Sequence, residues 1–206
     1  MQAGYKLYGR PGSGSLAVQV ALEEVGAPYE RIWVGSEPQD LAALRALSPT
    51  GKVPVLVLPD GRAMFESGAM LIHLALAHPQ AAMAPPPGGS DHAQFLQWIV
   101  FLSANVYETV LRIYYSDRYA DGADAAAIRE RACLALREHL SIICARLDPY
   151  VLGARYSLAD AYLYMLSSWD PAGTDDLHRD LPRLGAHAKL LGARPAFVRA
   201  SADHAQ

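Results

Sequence analysis

Residues 51–77 constrain this chain more than any other stretch. Val53-Pro54 opens an apolar run from Val55 to Leu58. Proline has no N–H, so it suits the start of a strand and not its middle. Pro59-Asp60-Gly61 supplies a turn, because its residues pre-set or tolerate turn dihedrals. Residues 63–65 read as a short second strand, and Glu66-Ser67 stand where an apolar helix over 67–78 begins. The hairpin thus delivers two polar side chains to a helix N-terminus, where free N–H groups and the positive dipole end favour a carboxylate. The backbone edge before Pro54 offers pairing to an extended peptide. From these residues alone two readings stand open: a socket for a small acidic peptide, or a plain hairpin with Ser67 as a helix cap.

Composition narrows the class. The 206 residues fit one large domain or two small ones, and 51% hydrophobic content supports a sizeable core. A net charge of -3 without a basic stretch argues against nucleic acid as a partner. No apolar segment reaches the ~20 residues of a membrane span. The first residues lead into a strand pattern without the apolar core of a signal peptide, so a soluble, cytoplasmic protein is expected. Cys133 and Cys144 lie in one helical pattern, roughly 16 Å apart along its axis, too far for a disulfide. They read as small apolar residues. His73 and His78 are five apart, not three or four, so no metal site is expected.

Along the chain, 5–8 reads as a strand, 9–13 as a turn, 16–25 as a helix ended by Gly26, and 29–34 as a second strand. Pro38 starts a further helix through Leu47. The order βαβ, then α, then ββα predicts a mixed four-stranded sheet with helices packed on it, a thioredoxin-like α/β unit over 1–78. Residues 79–90, with three consecutive prolines and two glycines, read as a linker. From 91 to 206 the pattern is all-helical: long helices over 91–119 and 121–147, a third from Ser157 to about Trp169, and shorter ones over 181–192 and 195–202. Ser157 and Asp160 form a capping box that fixes the third helix.

The order of these features resembles the glutathione transferase family over nearly the whole chain. In that family a Val-Pro with a cis peptide bond precedes a hairpin and a Glu-Ser pair. The resemblance implies that the Val53 backbone, held before Pro54 by a cis bond, pairs with the cysteinyl part of glutathione, that Glu66 and Ser67 hold its γ-glutamyl end, and that Lys52 lies near its glycyl carboxylate. It also implies a homodimer, glutathione as co-substrate, and a helical domain that forms the hydrophobic substrate site.

Glutathione chemistry requires a thiolate, and a free thiol near pKa 8.5 is mostly protonated at neutral pH. The resemblance places the thiol-activating donor in the turn after the first strand. There Gly9 occupies the position of the tyrosine used by some classes, and Gly14 replaces the cysteine of the bacterial beta class. Neither mechanism carries over, and disulfide reduction is disfavoured. Pro11-Gly12-Ser13 matches the Pro-Gly-Ser of the delta class. Ser13 is therefore the first candidate donor, Ser15 the second, and backbone N–H groups with the helix dipole the third. Arg10 is expected to add positive potential at the substrate site. Tyr107 stands where the beta class has a histidine. With Arg112, Tyr114 and Tyr115 it is read as a polar-aromatic patch for an apolar electrophile. The expected reaction is thiolate attack on such an electrophile. Glutathione-dependent isomerisation, and non-catalytic binding of glutathione or another ligand, are the alternatives.

Overall fold

The computed structural model describes residues 4–169 and 174–205. The start of the chain at 1–3, read above for a signal peptide, lies outside them. The chain divides into two compact units, Met1–Ala84 with Gly192–Gln206, and Pro85–Leu191.

The first unit is built on a four-stranded sheet of order β2-β1-β3-β4. Strand β1 (Tyr5–Gly9) runs parallel to β2 (Tyr29–Trp33) and antiparallel to β3 (Val55–Val57), and β3 pairs antiparallel with β4 (Ala63–Met64). Helix α1 (Ser15–Val25) makes the β1-to-β2 crossover, α2 (Pro38–Leu47) follows β2, and α3 (Ser67–Ala77) follows the hairpin. This is the mixed, thioredoxin-like arrangement that the element order predicts. Helix α1 is apolar almost all round and buries Leu16, Val18, Val20 and Leu22, as a helix sandwiched in a core must. Val53–Pro54 is cis, as the resemblance implies.

The second unit is mainly helical. Helix α4 (Ser90–Phe101) continues through a π-helical segment, Leu102–Tyr107, into α5 (Glu108–Tyr114). The single helix expected to 119 ends earlier, because Tyr115 leaves helical dihedrals (φ -128°, ψ 38°) and only a 3-10 turn, Ser116–Arg118, follows. Helices α6 (Gly122–Cys144), α7 (Leu158–Ser167), α8 (Thr174–Asp180) and α9 (Pro182–Gly192) complete it. Helix α8 has no counterpart in the sequence reading. The capping box is present at α7. Asp160 accepts the Ser157 N–H (2.8 Å) and the Val151 N–H (2.8 Å), and His187 Nε2 donates to it at 3.1 Å. The side chains of Asp160 and His187 are wholly buried.

The pattern of the sequence leaves 91–206 together, but helix α10 (Pro195–His204) packs on α1 within the first unit. Its Ala196, Phe197 and Ala200 are buried. Its polar side is tied down by Arg194 to Glu24 through two 2.8 Å bonds, by Arg199 to Glu23, and by Asp203 to Arg31 and Gln19. Periodicity reports the apolar face of a helix and not the surface that covers it, which is why this placement escaped the sequence.

Cys144 is buried, its thiol pushed up in pKa by that burial, and Cys133 is half-buried. Among the described residues no cluster of His, Cys, Asp or Glu could hold a metal ion, and no helix is long and apolar enough to cross a membrane.

Candidate active site

Sheet topology brings three segments of the first unit to one end. Strand β1 ends at Gly9, so the turn over 10–14 and the N-terminus of α1 lie there. Antiparallel pairing of Tyr8 with Val55 places the cis Val53-Pro54 bond at the same end. The pairing of Leu56 with Met64 reverses the chain once more, so 65–66 and the N-terminus of α3 return to it. Two helix N-termini, each with the positive end of its dipole, therefore share a sheet end with the backbone before β3.

The turn after β1 is closed by its two serines. Ser13 Oγ donates to the Arg10 carbonyl at 2.8 Å, and the Ser13 and Ser15 hydroxyl oxygens are 2.9 Å apart. The Arg10 N–H points at both oxygens, 3.3 Å from each. Ser15 is wholly buried and Ser13 half-buried. Gly9 is required here: a Cβ would stand 2.6 Å from Ser15 Cβ and 3.0 Å from Trp33 Cζ3. Gly12 takes φ 64°, a left-handed turn conformation that glycine adopts at no steric cost. Gly14 is different. Its dihedrals (φ -57°, ψ -9°) are open to any residue, so backbone geometry does not explain the glycine at the position of the beta-class cysteine.

Arg10 turns its guanidinium to the loop after β2. Its Nε donates to the Val34 carbonyl (3.1 Å) and its Nη2 to that of Gly35 (3.0 Å). Lys52 and Glu66 are exposed, with no side-chain partner among the described residues. Ser67 is buried at 4% exposure. The capping alternative needs correction: Ser67 is the first helical residue, and Glu66 holds the cap position without a side-chain cap bond. Glu66 has φ 74° and ψ 102°, a conformation costly for a residue with a Cβ. Strain of this kind leaves no mark in a sequence.

In the second unit the expected polar-aromatic patch divides. Tyr107 packs edge-on to Tyr162 (6.2 Å) and tilted against Trp169 (5.4 Å), while the Tyr114 hydroxyl donates to the Trp169 carbonyl at 3.3 Å. Arg112 is not with them. Five positions on from Tyr107 it lies roughly 140° round the helix, where it pairs with Glu108 at 2.7 Å. There it lines a groove of about 390 Å³ with Thr109, Ile128 and Arg131. Tyr115 stacks under Arg118, 3.9 Å from the guanidinium carbon to the ring centroid. Trp169, the residue that gathers Tyr107 and Tyr114, was not singled out from the sequence. Its position at the end of an apolar helix was the only available signal.

Comparison with known proteins identifies the family and the fold. A sequence model described as "Glutathione S-transferase, N-terminal domain" matches residues 15–77. The uncharacterized GST-like protein YncG of Escherichia coli is 31% identical over 172 residues, 81% of this chain and 82% of that protein. Glutathione S-transferase GST-4.5 of Xanthomonas campestris is 28% identical, covering 93% and 98% of the two chains. A sphingomonad glutathione S-transferase solved in complex with glutathione superposes with a TM-score of 0.82 at 29% identity, covering 97% of this chain and 98% of that one. The chain belongs to the glutathione transferase family.

Proposed function

We propose that the protein is a glutathione S-transferase that stabilises the glutathione thiolate for attack on a small apolar electrophile. The observation that carries this reading is the convergence, at one end of the sheet, of the Ser13 turn, the cis Val53-Pro54 segment and the start of α3. In this reading the first unit binds glutathione. The Val53 backbone pairs with the cysteinyl residue. Glu66 and Ser67 hold the γ-glutamyl end, Glu66 by its free carboxylate and Ser67 at the helix N-terminus. Lys52 faces the glycyl carboxylate as an unpaired cation. Ser13, half-exposed, is the hydroxyl that reaches the sulfur.

A hydrogen bond to the thiolate and two positive helix ends favour the ionised form, so the thiol proton passes to water. The sulfur lone pair then forms the new C–S bond, and the displaced group leaves with the electrons of the bond that breaks. Tyr107 and Tyr114, gathered by Trp169, are the proposed aromatic surface for the electrophile. Arg10, with its guanidinium held by two carbonyls, contributes fixed positive charge beside the turn. A cytoplasmic homodimer acting in detoxification completes the proposal. Its domain roles are glutathione binding in the sheet unit and electrophile binding in the helical one.

Difference ultraviolet titration with glutathione at neutral pH tests it. Saturable binding with a thiolate band is expected. Binding without that band favours the second reading, a glutathione or ligand carrier, which Gly9 and Gly14 at the tyrosine and cysteine positions support. No binding removes both.

A further inference from the structure

We infer that Ser13 and Ser15 form a two-hydroxyl relay in which Ser15, never touching the ligand, is the positioning residue for Ser13. The inference rests on the glutathione reading above and assigns the two serines different work. Its first ground is a proton count. A serine hydroxyl carries one proton. Ser13 Oγ lies 2.8 Å from the Arg10 carbonyl, which has no proton to give, so the Ser13 proton is directed there. Ser15 Oγ lies farther from that carbonyl, at 3.3 Å, so the shorter bond goes to Ser13, and the 2.9 Å contact between the hydroxyl oxygens is assigned to Ser15 as donor and Ser13 as acceptor. The chain of donation runs from Ser15 to Ser13 to the Arg10 carbonyl.

The second ground is burial. Ser15 is wholly buried under Gly9, where the missing Cβ makes room for it. No ligand reaches it there, whereas Ser13 stays half-exposed. The third ground is that the chain can switch without leaving a polar group bare. When a thiolate arrives, the Ser13 proton rotates from the carbonyl to the sulfur. The Arg10 carbonyl keeps the Ser13 N–H at 3.3 Å. Ser15 goes on donating to Ser13 Oγ, which polarises the Ser13 O–H and strengthens it as a donor. No covalent bond changes. Gly9 belongs to the device, since any larger residue displaces Ser15.

The test uses the full chain, with glutathione and S-methylglutathione as probes. The second has the same peptide but no ionisable thiol. Thiolate content of bound glutathione at neutral pH is read by ultraviolet difference for Ser13→Ala, Ser15→Ala and the double variant. A bond to a charged acceptor predicts about a tenfold loss of thiolate for Ser13→Ala, and the indirect effect about threefold for Ser15→Ala. The double variant is expected to match Ser13→Ala alone, because Ser15 acts only through Ser13. S-methylglutathione affinity is expected to stay unchanged in Ser15→Ala. Gly9→Ala keeps both hydroxyls but pushes Ser15 aside, so it too is expected to lose about threefold. The relay is overturned by an unchanged thiolate in Ser15→Ala, by losses that multiply in the double variant, or by a parallel loss of S-methylglutathione binding. A wild-type protein that binds no glutathione, or a Ser13→Ala variant with full thiolate, overturns the proposed function as well.

Discussion

Two serine clusters stand at helix starts in this chain, and they are built oppositely. At α7, Ser157 and Asp160 are fully buried. Their acceptor is a carboxylate with three N–H donors from Val151, Ser157 and His187. At α1, the acceptor at the end of the Ser15–Ser13 pair is a neutral carbonyl, and one of the two serines is half-exposed. A charged, buried acceptor fixes its donors, because breaking the set strands polar groups away from water. A neutral acceptor at the surface lets a proton change partner at little cost. Two clusters with similar residue types thus divide into one that holds the fold and one suited to chemistry. The distinction lies in the acceptor and its burial.

The largest effect expected from this comparison is at Asp160. Asp160→Ala orphans four buried donors, those three N–H groups and the Ser157 hydroxyl, and is expected to destabilise the protein by ~3–5 kcal/mol, read from urea unfolding. Folded molecules of the variant should bind glutathione as wild type does. A loss under ~1 kcal/mol would mean that the α7 cluster is no more binding than an ordinary hydrogen bond.

A second contrast lies between two shielded histidine rings. His187 has Asp160 as a partner, whereas both ring nitrogens of His204 lack a hydrogen-bond partner among the described residues. The His204 ring meets Trp33 edge-on at 5.0 Å. Burial first, and then the charge of Arg31, lower its pKa from 6.5 to about 4, with Asp203 opposing them. The folded state therefore binds fewer protons than the unfolded state between those values. His204 contributes no penalty above about pH 6.5, and stability falls as pH drops from there towards 4. The Asp203 carboxyl, held below its usual range by Arg31, loses its contribution lower still, in the same direction. His204→Gln is expected to flatten the pH dependence of unfolding between 4 and 6.5, with ~1–2 kcal/mol recovered at the acid end after allowing for partial exposure. An unchanged pH profile would mean that α10 is not anchored through a neutral histidine.

How far the sequence spoke differs between these features. The Val53-Pro54 hairpin, the helix starts at 38 and 158 and the capping box are written in short-range chemistry: a missing N–H, a turn triplet, a Ser-x-x-Asp spacing. Each was legible. What was not legible depends on residues far apart. The return of α10 to α1 rests on pairs such as Arg194 with Glu24, which are 170 positions apart. Trp169 gathers Tyr107 and Tyr114 only once α7 is packed against the π-helical segment. The π segment at Leu102–Tyr107 leaves no composition signal, so one long helix was the natural expectation. At the site, the order of residues pointed to Ser13, Ser15, Glu66 and Ser67. The direction of the Ser13 proton, the need for Gly9 and the strain at Glu66 are matters of geometry within an ångström, beyond any pattern of letters.

The smallest effect sets the Glu66 backbone against its side chain. At φ 74° a residue with a Cβ sits about 1 kcal/mol above glycine. Glu66→Gly is therefore expected to raise stability by about that much, or ~2–4 °C in Tm for a chain of this size. Glu66→Ala keeps the Cβ and should leave Tm where it was. Both remove the carboxylate, and both should weaken glutathione binding by about tenfold, the loss of one charge-assisted contact. Equal Tm values for the two variants would remove the strain argument. Undiminished affinity in either would remove Glu66 from the proposed socket. A stabilised Glu66→Gly that binds glutathione poorly would show that this position carries strain because a carboxylate is needed there, in contrast to the Asp160 cluster, where the carboxylate itself stabilises the fold.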